Sequence, residues 1–138
     1  MFQILGDHAQ ADLGRDLDYY RNRGVLLDCR GGLVIHETAR IGFGVRIITQ
    51  SHDLASWVVV DRPVVIGANV FVGSFSILYN CTIGEGSVVA IGSVVRSVEV
   101  PPGVMVEGNP ARIFATKSPD GEWCCLPEPA VLSKRKRK

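Results

Sequence analysis

The most constraining feature of this 138-residue chain is an aliphatic residue that recurs every six positions from position 35 to position 95. The repeat slips twice, once at the segment 53–59 and once by a single residue before position 83. A small or β-branched residue stands four positions after nearly every repeated residue, and glycine often follows it directly. The repeated residues, called anchors below, are Ile35, Ile41, Ile47, Val60, Ile66, Val72, Leu78, Ile83, Val89 and Val95.

A six-residue repeat of this kind predicts a β-helix, in which each repeat unit supplies one short strand and one corner. The anchor would point into the prism, and glycine would permit the sharp bend at the corner. Three units would complete one coil, and successive coils would pair as parallel strands roughly 4.8 Å apart. Because one coil cannot bury its own apolar stripe, the stack of coils is expected to be the folding unit.

The chain divides into three parts. Residues 1–24 lie outside the repeat and are expected to cap the first coil, with a short polar helix within residues 11–23. Residues 25–116 hold the repeat and the turn-rich sequences that should close the last coil. Residues 117–138 lack any period and contain three prolines, so we expect an irregular C-terminal extension with a disordered basic tail.

The charge of the chain is unevenly distributed. The formal net charge is +1, but the last five residues are all Lys or Arg, so the rest of the chain carries about −4. This balance argues against a body that binds nucleic acid, and a solvated tail is the simplest interpretation of the basic end. A short β-helix also has open ends and exposed faces, so we expect it to form an oligomer.

Two further properties point to a cytoplasmic protein. The N-terminus has neither a basic start nor a long apolar run, so we expect no signal peptide, and no stretch approaches the roughly 20 apolar residues that span a bilayer. The four cysteines lack the spacing of a metal site or a disulfide framework. We therefore interpret them as reduced thiols and expect no membrane insertion.

The repeat is interrupted at a position that suggests chemistry. The unit that starts at Ile47 ends in His52, and the segment 53–59 then bulges out before the repeat resumes. Loops that project from a rigid scaffold often carry function. A histidine at the root of such a loop can act as a general base near neutral pH. By contrast, His36 and His8 have no such context and are interpreted as structural or unassigned.

Several motifs resemble one known family. Residues 33–114, about 60% of the chain, are similar to the hexapeptide-repeat acetyltransferases, closest to the maltose, galactoside and colanic-acid branch. The resemblance implies a left-handed parallel β-helix of about four to five triangular coils. The matching stretches are ITQSHD (48–53), RPVVIGANVFVGS (62–74), TIGEGSVV (82–89), GSVV (92–95), VPPG (100–103) and GNPAR (108–112).

The resemblance implies a reaction. Members of the family that the chain resembles transfer an acetyl group from acetyl-CoA to a hydroxyl or an amine of a sugar or sugar nucleotide, with no metal. They assemble as homotrimers with active sites between subunits. The histidine of the matching segment, His52 here, would take the proton of the acceptor as it attacks the thioester. Backbone N–H groups would stabilise the tetrahedral oxyanion. Asp53 would either orient His52 or form a turn of the loop.

The resemblance also implies contacts to both substrates. Coenzyme contacts would come from the Ser74 side chain, from the backbone of Ile91 and Gly92, and from two arginines. Arg96 stands one position before the lysine that is usual in the family, and Arg112 lies in the GNPAR motif. Acceptor contacts would come from Asn22, near the start of the first regular coil, and from Trp57, which could stack on a sugar ring, stack on adenine or pack against a neighbouring subunit.

The repeat itself makes a geometric prediction about these residues. If every anchor marks one strand, the units that start at Ile47, Val72 and Val89 are the third strands of three successive coils. His52, Ser74 and residues 90–93 would then share one face, spaced by one coil, or roughly 4.8 Å. A long ligand parallel to the prism axis would contact all three.

Two other function classes compete with the acetyltransferase. The zinc hydro-lyases of the γ-carbonic-anhydrase type share the predicted fold but need three histidine ligands, two of them five residues apart. The three histidines of this chain, at positions 8, 36 and 52, offer no such pair. A non-catalytic β-helix that acts as a scaffold or assembly subunit is the main alternative. The identity of the acceptor, and oxygen versus nitrogen as the acetylated atom, stay open from the sequence.

Overall fold

Short strands dominate residues 1–135, the part of the chain that this computed structural model describes. The N-terminal part holds β1 (Gln3–Leu5), a 3₁₀ turn (His8–Gln10) and α1 (Leu17–Arg21). The repeat region holds β2 (Leu26–Asp28), β3 (Leu33–Ile35), β4 (Arg40–Ile41), β5 (Arg46–Ile48), β6 (Gln50–His52), β7 (Val59–Asp61), β8 (Val64–Ile66), β9 (Phe71–Val72), β10 (Ile77–Tyr79), β11 (Thr82–Ile83), β12 (Val88–Val89), β13 (Val94–Arg96), β14 (Val98–Val100) and β15 (Val104–Gly108). The C-terminal part holds β16 (Ala111–Lys117), β17 (Trp123–Ala130) and β18 (Ser133–Lys134).

The strands form three sheets that enclose a prism. Sheet A has the order β1-β2-β5-β10-β13, sheet B β18-β14-β11-β8-β3, and sheet C β17-β16-β15-β12-β9-β4. Pairing between successive coils is parallel in all three sheets. One strand from each sheet makes a coil, so four coils begin at β2, β5, β10 and β13. The left-handed parallel β-helix of four to five coils is thus confirmed.

The core is a stack of aliphatic side chains inside the prism. In sheet A, Leu78 pairs with Ile47 below it and with Val95 above it, and all three are fully buried. Burial of one such side chain contributes about 1.5–3 kcal/mol. Because side chains alternate along a strand, Ile48, Tyr79 and Arg96, each one position later, lie in register along the outer face of sheet A.

Buried serines at the corners connect one coil to the next. The hydroxyl of Ser76 donates a hydrogen bond to the carbonyl of Ala90 (3.1 Å), and that of Ser87 donates to the carbonyl of Pro101 (2.6 Å). Small polar residues at these positions therefore satisfy backbone groups of the adjacent coil as well as leaving room for the turn.

One expectation about the repeat is wrong. Val60 is not a core anchor: it lies in β7, which pairs antiparallel with β6 in a hairpin outside the prism. With this hairpin removed from the count, Val72 stacks on Ile41 and Val89 in sheet C, while Ile47 stacks on Leu78 in sheet A. The units of Ile47, Val72 and Val89 therefore do not share a face.

The N-terminal part continues the coils before it caps them. β1 pairs in parallel with β2, and a bridge joins Asp12 to Val34, so the cap extends sheets A and B. The helix within residues 11–23 is only the five-residue α1, which begins after Asp16 because the Asp16 carboxylate caps the Tyr19 amide. No helix within residues 1–135 is long and apolar enough to cross a membrane.

The C-terminal extension is more regular than expected. β16 folds back antiparallel on β15, β17 pairs antiparallel with β16, and β18 adds antiparallel to β14 of sheet B. Leu132 is buried in the core, which ties this last segment to the body. Lys134 and Arg135 are therefore placed against the β-helix, whereas the rest of the basic tail, for which disorder was expected, lies outside the described residues.

The corrected register makes a testable prediction about stability. Val72→Ala should lower the free energy of unfolding by about 1.5–3 kcal/mol, because it removes methyl groups from the closed prism. Val60→Ala, in the hairpin, should cost less than about 1 kcal/mol. Urea unfolding of both variants at one protein concentration provides the comparison, and equal losses would contradict the assignment of Val60 to the hairpin.

Candidate functional site

The hairpin that carries His52 leaves the β-helix where the second coil turns from sheet A to sheet B, called here the A–B corner. Its root is fixed by Asp28 of the first coil, whose carboxylate accepts a hydrogen bond from the Thr49 amide (3.0 Å). The guanidinium of Arg30 donates to the same carboxylate (2.8 and 3.1 Å). Burial raises the pKa of Asp28, but the hydrogen bonds from Arg30 and Thr49 outweigh it and leave the pKa below its usual value. Asp28 is thus a fixed anion under the hairpin.

The turn of the hairpin is held by Asp53. Its Oδ1 accepts hydrogen bonds from the amides of Ala55 and Ser56 (both 2.9 Å) and from the Ser56 hydroxyl (3.2 Å). These bonds lower the pKa of Asp53. Among residues 1–135, the hydrogen bonds that this carboxylate accepts come from its own turn and none from His52, so the structure favours the turn-forming role over the orienting one.

His52 ends β6 with its imidazole exposed. Within residues 1–135 neither ring nitrogen makes a hydrogen bond to another protein group, and the closest aromatic ring is that of Trp57, with 6.3 Å between ring centroids. Trp57 itself is 70% exposed and has φ 60, a conformation that is rare for a bulky residue. The hairpin therefore presents an exposed imidazole beside an exposed indole.

A second strand supports the hairpin from the next coil. The hydroxyl of Tyr79 in β10 donates to the Ser51 hydroxyl (2.6 Å), and Ser51 is the residue before His52. The guanidinium carbon of Arg96, one coil further, lies 6.0 Å from the centre of the Tyr79 ring. Ser51, Tyr79 and Arg96 thus form a line from the hairpin toward the C-terminal end of the stack.

A groove of about 1080 Å³ lies between the hairpin and the C-terminal segment. Its floor is the outer face of sheet A, and its walls are the hairpin, the start of β16 and residues 131–135. Among residues 1–135, five cationic residues and one carboxylate, Asp53, line it together with His52. The cationic residues are Arg62, Arg96, Arg112, Lys134 and Arg135.

The other predicted contacts lie at a different corner. Ser74 and Ile91 lie where the chain turns from sheet C to sheet A, called here the C–A corner, and Ser74 accepts hydrogen bonds from Phe43 (to Oγ, 3.1 Å) and from the Gly92 amide (to O, 2.9 Å). Asn22 flanks the same corner, since the neighbouring Arg23 carbonyl accepts from the Gly44 amide (2.7 Å).

The predicted site residues therefore form two groups, one along the groove on the outer face of sheet A and one at the C–A corner. His52, Asp53, Arg96 and Arg112 border the groove, with Trp57 on the hairpin beside it, whereas Asn22, Ser74, Ile91 and Gly92 lie at the C–A corner. The three-residue strands of sheet A separate the corners by about 10 Å or more. The structure does not bring His52 and Ser74 together within one protomer.

The sequence interpretation missed several groove residues. Tyr79 could have been found once residues 50–61 were excluded from the count, because Ile47, Leu78 and Val95 then align and place Tyr79 next to the His52 unit. Lys134 and Arg135 carried no such signal, because nothing in the periodicity indicates that the chain returns to sheet B.

The remaining reactive groups do not form a second centre. Within residues 1–135 no group of three or more His, Cys, Asp and Glu side chains could hold a metal ion. All four cysteines are free, and burial raises the pKa of the Cys81 thiol to about 12, which keeps it protonated. Cys124 and Cys125 are exposed on β17, away from the groove.

The chain is similar in sequence to curated acetyltransferases and to carboxysome assembly proteins, and no family model matches it. It is 41% identical over 96 residues to serine acetyltransferase 2 of Arabidopsis thaliana, covering 66% of this chain and 28% of that protein. It is 32% identical over 107 residues to the putative acetyltransferase YJL218W of Saccharomyces cerevisiae, covering 70% and 52%. Over 87 residues it is 33% identical to the carboxysome assembly protein CcmM of Synechocystis, covering 54% and 12%. The chain thus spans about half or less of the length of these relatives.

Several solved structures with the same fold are acetyltransferases. The maltose O-acetyltransferase of Clostridium difficile superposes with a TM-score of 0.61 at 23% identity, over 84% of this chain and 66% of that one. The polySia-specific acetyltransferase NeuO gives 0.53 at 26%, over 64% and 44%. The hexapeptide-repeat acetyltransferase VCA0836 of Vibrio cholerae, in complex with acetyl-CoA, gives 0.50 at 27%, over 83% and 64%. Fold and sequence together confirm that this chain resembles the hexapeptide-repeat acetyltransferases.

Proposed function

We propose that the chain is an acetyl-CoA-dependent acetyltransferase that acts on a hydroxyl or an amine of a sugar or sugar nucleotide, with His52 as the general base. The observation that carries the proposal is the exposed imidazole of His52 at the edge of a cationic groove that follows the coil axis. The similarity to VCA0836, whose structure holds acetyl-CoA, supports the coenzyme. NeuO supports a sugar acceptor, whereas the serine acetyltransferases support an amino acid acceptor. The choice of a sugar over an amino acid is therefore part of the proposal.

The geometry supports a direct transfer. An imidazole nitrogen of His52 takes the proton from the acceptor as its oxygen or nitrogen attacks the thioester carbonyl. The tetrahedral intermediate then collapses, the C–S bond breaks, and the imidazolium returns the proton to the CoA thiolate. Arg96 and Arg112 would hold the coenzyme phosphates, because guanidinium groups bind phosphate oxygens in pairs. Asp53 contributes by fixing the hairpin turn rather than by contacting the imidazole.

We further propose a homotrimer in which two protomers complete each site. The C–A corner carries a ridge of exposed apolar side chains (Phe43, Phe75 and Ile91), and the hairpin tip exposes Leu54, Trp57, Val58 and Val59. Contiguous apolar surfaces of this kind are typical of interfaces. Docking of the C–A corner of one protomer against the hairpin of the next would bring Ser74, Ile91 and Asn22 to His52 of the partner, with Trp57 at the contact.

A non-catalytic scaffold is the second candidate. The similarity to the carboxysome assembly protein CcmM favours it, although the match covers 12% of that protein. A scaffold has no need of a free imidazole beside a cationic groove, and it has no need to bind acetyl-CoA.

The base assignment predicts the effect of one substitution. His52→Ala should lower the rate of acetyl transfer by about 100-fold or more, since a positioned base contributes about that factor. Thiol release from acetyl-CoA with a panel of sugars and sugar nucleotides measures the rate. Calorimetry should show that the variant still binds acetyl-CoA, and circular dichroism should show that it is folded. A near wild-type rate would contradict the assignment, and no binding of acetyl-CoA by the wild-type protein would favour the scaffold.

The Tyr79–Ser51 hydrogen bond predicts a positioning effect. Tyr79→Phe should lower kcat several-fold, because it removes a hydrogen bond worth about 0.5–1.5 kcal/mol that supports the hairpin of His52. The same change in a Ser51→Ala background should have little further effect, since the bond is already absent. Full additivity of the two substitutions would show that Tyr79 acts by another route.

The proposed interface predicts that Phe75→Glu dissociates the trimer, because it places a charge in the apolar ridge. Sedimentation velocity should show a monomer at micromolar concentration. Val34→Glu, an equally severe change on the exposed face of sheet B, is the control and should leave the trimer intact. An unchanged sedimentation coefficient for Phe75→Glu would exclude the C–A corner as the interface.

A further inference from the structure

We propose that the acceptor carries an anionic group, either a phosphate or a carboxylate, and that Arg62 binds this group beside His52. The inference deepens the proposed function. It rests on that function because it assumes that the coenzyme phosphates occupy the end of the groove at the fourth coil. It goes beyond a neutral sugar by naming the charge of the acceptor.

The groove holds more positive charge than the protein neutralises. Arg62, Arg96, Arg112, Lys134 and Arg135 line it, and within residues 1–135 none of them forms an ion pair with a carboxylate. Of the described residues, Asp53 is the single carboxylate that lines the groove, and its Oδ1 already accepts three hydrogen bonds from its own turn. A groove of this composition attracts ligands with several negative charges.

The cations lie at two different levels of the stack. Arg96 belongs to β13 of the fourth coil, Arg112 to β16 beyond it, and Lys134 pairs with Val98 of the fourth coil. Arg62 instead precedes β8 of the second coil and directly follows the hairpin of His52. Two coil spacings, roughly 9.6 Å, separate the second coil from the fourth.

Arg62 is held at the hairpin end by its backbone and is free at its tip. Its amide donates to the carbonyl of Thr49 (2.7 Å). Thr49 is also the residue whose amide fixes the root of the hairpin on Asp28. Within the described residues its guanidinium makes a single hydrogen bond, a long one to the carbonyl of Asp61 (3.3 Å). Several N–H donors of Arg62 therefore remain available to a ligand.

Arg135 closes the wall next to this position. Its amide donates to the Ser97 carbonyl of the fourth coil (3.0 Å), and its guanidinium donates to the carbonyl of Pro63, beside Arg62. The C-terminal segment thus spans the A–B corner from the fourth coil to the second and adds positive charge at the hairpin end. An anion bound by Arg62 would be shielded on that side by a second guanidinium.

One coenzyme molecule cannot occupy both cationic levels in a productive orientation. The phosphates of CoA lie at one end of the molecule, and the pantetheine arm separates them from the thioester. When the thioester reaches His52 at the second coil, the phosphates lie toward Arg96, Arg112 and Lys134. Arg62 is then left for the other substrate, and an arginine fork binds a phosphate or a carboxylate through paired hydrogen bonds.

The test separates the two cationic levels by direct binding, without relying on turnover. Calorimetry at low and constant ionic strength measures the affinity of CoA, of glucosamine 6-phosphate against glucosamine, and of glucuronate against glucose. The proteins are wild type, Arg62→Gln, Arg96→Gln and, as a control outside the groove, Arg40→Gln on exposed sheet C. Unfolding curves check that each variant is folded.

We expect each of the two arginine substitutions to weaken the binding of a different ligand. One anionic sugar should bind at least about ten-fold more tightly than its neutral partner, and Arg62→Gln should abolish that preference while leaving CoA affinity unchanged. Arg96→Gln should weaken CoA about ten-fold and leave the sugar preference unchanged, and Arg40→Gln should change neither. Preference for the phosphate or for the glucuronate identifies the anion.

Two outcomes overturn the inference. One is that neither anionic sugar binds more tightly than its neutral partner, and the other is that Arg62→Gln leaves the preference intact. Failure of the proposed function gives a different pattern, in which CoA does not bind to any of the proteins while the sugar measurements still decide the role of Arg62.

Discussion

The parallel stacking of aliphatic side chains inside the prism is the constraint on which the rest of the structure depends. Ile47, Leu78 and Val95 fix the height of each strand in sheet A, and that height determines which outward-facing residues become neighbours. Ser51, Tyr79 and Arg96 come from three different coils, yet they line up because the core sets their register. The groove is therefore a consequence of core packing rather than of local loop structure.

The hairpin shows how a regular scaffold carries an irregular element. Residues 50–61 leave the stack between β5 and β8 and do not disturb the pairing of either strand with the next coil. Buried Asp28 and Thr49 hold the root, Asp53 holds the turn, and Tyr79 supports the middle from above. These three contacts restrict the backbone of the short hairpin and thereby position the imidazole of His52. Such positioning suits a group that must meet a substrate in one geometry.

The sequence predicted the β-helix well because the anchor period directly reflects burial on the inner face of each strand. It failed at Val60, because the alternating pattern of a short antiparallel hairpin also places aliphatic residues at intervals that mimic the repeat. That error moved Ser74 to the face of His52, whereas hydrogen bonds place Ser74 at the C–A corner. It also failed beyond position 117. There β17 folds back antiparallel on β16, the strand just before it, and β18 pairs with the distant β14, a contact that no local pattern encodes.

The central claim is that a coenzyme lies along the outer face of sheet A with its thioester at the hairpin and its phosphates at the fourth coil. A crystal structure of the protein with bound CoA tests it most directly. The account predicts the sulfur atom within about 3–3.5 Å of the His52 ring and the phosphates against Arg96 and Arg112. Phosphates bound beside Arg62, or a coenzyme on sheet B or sheet C, would contradict it.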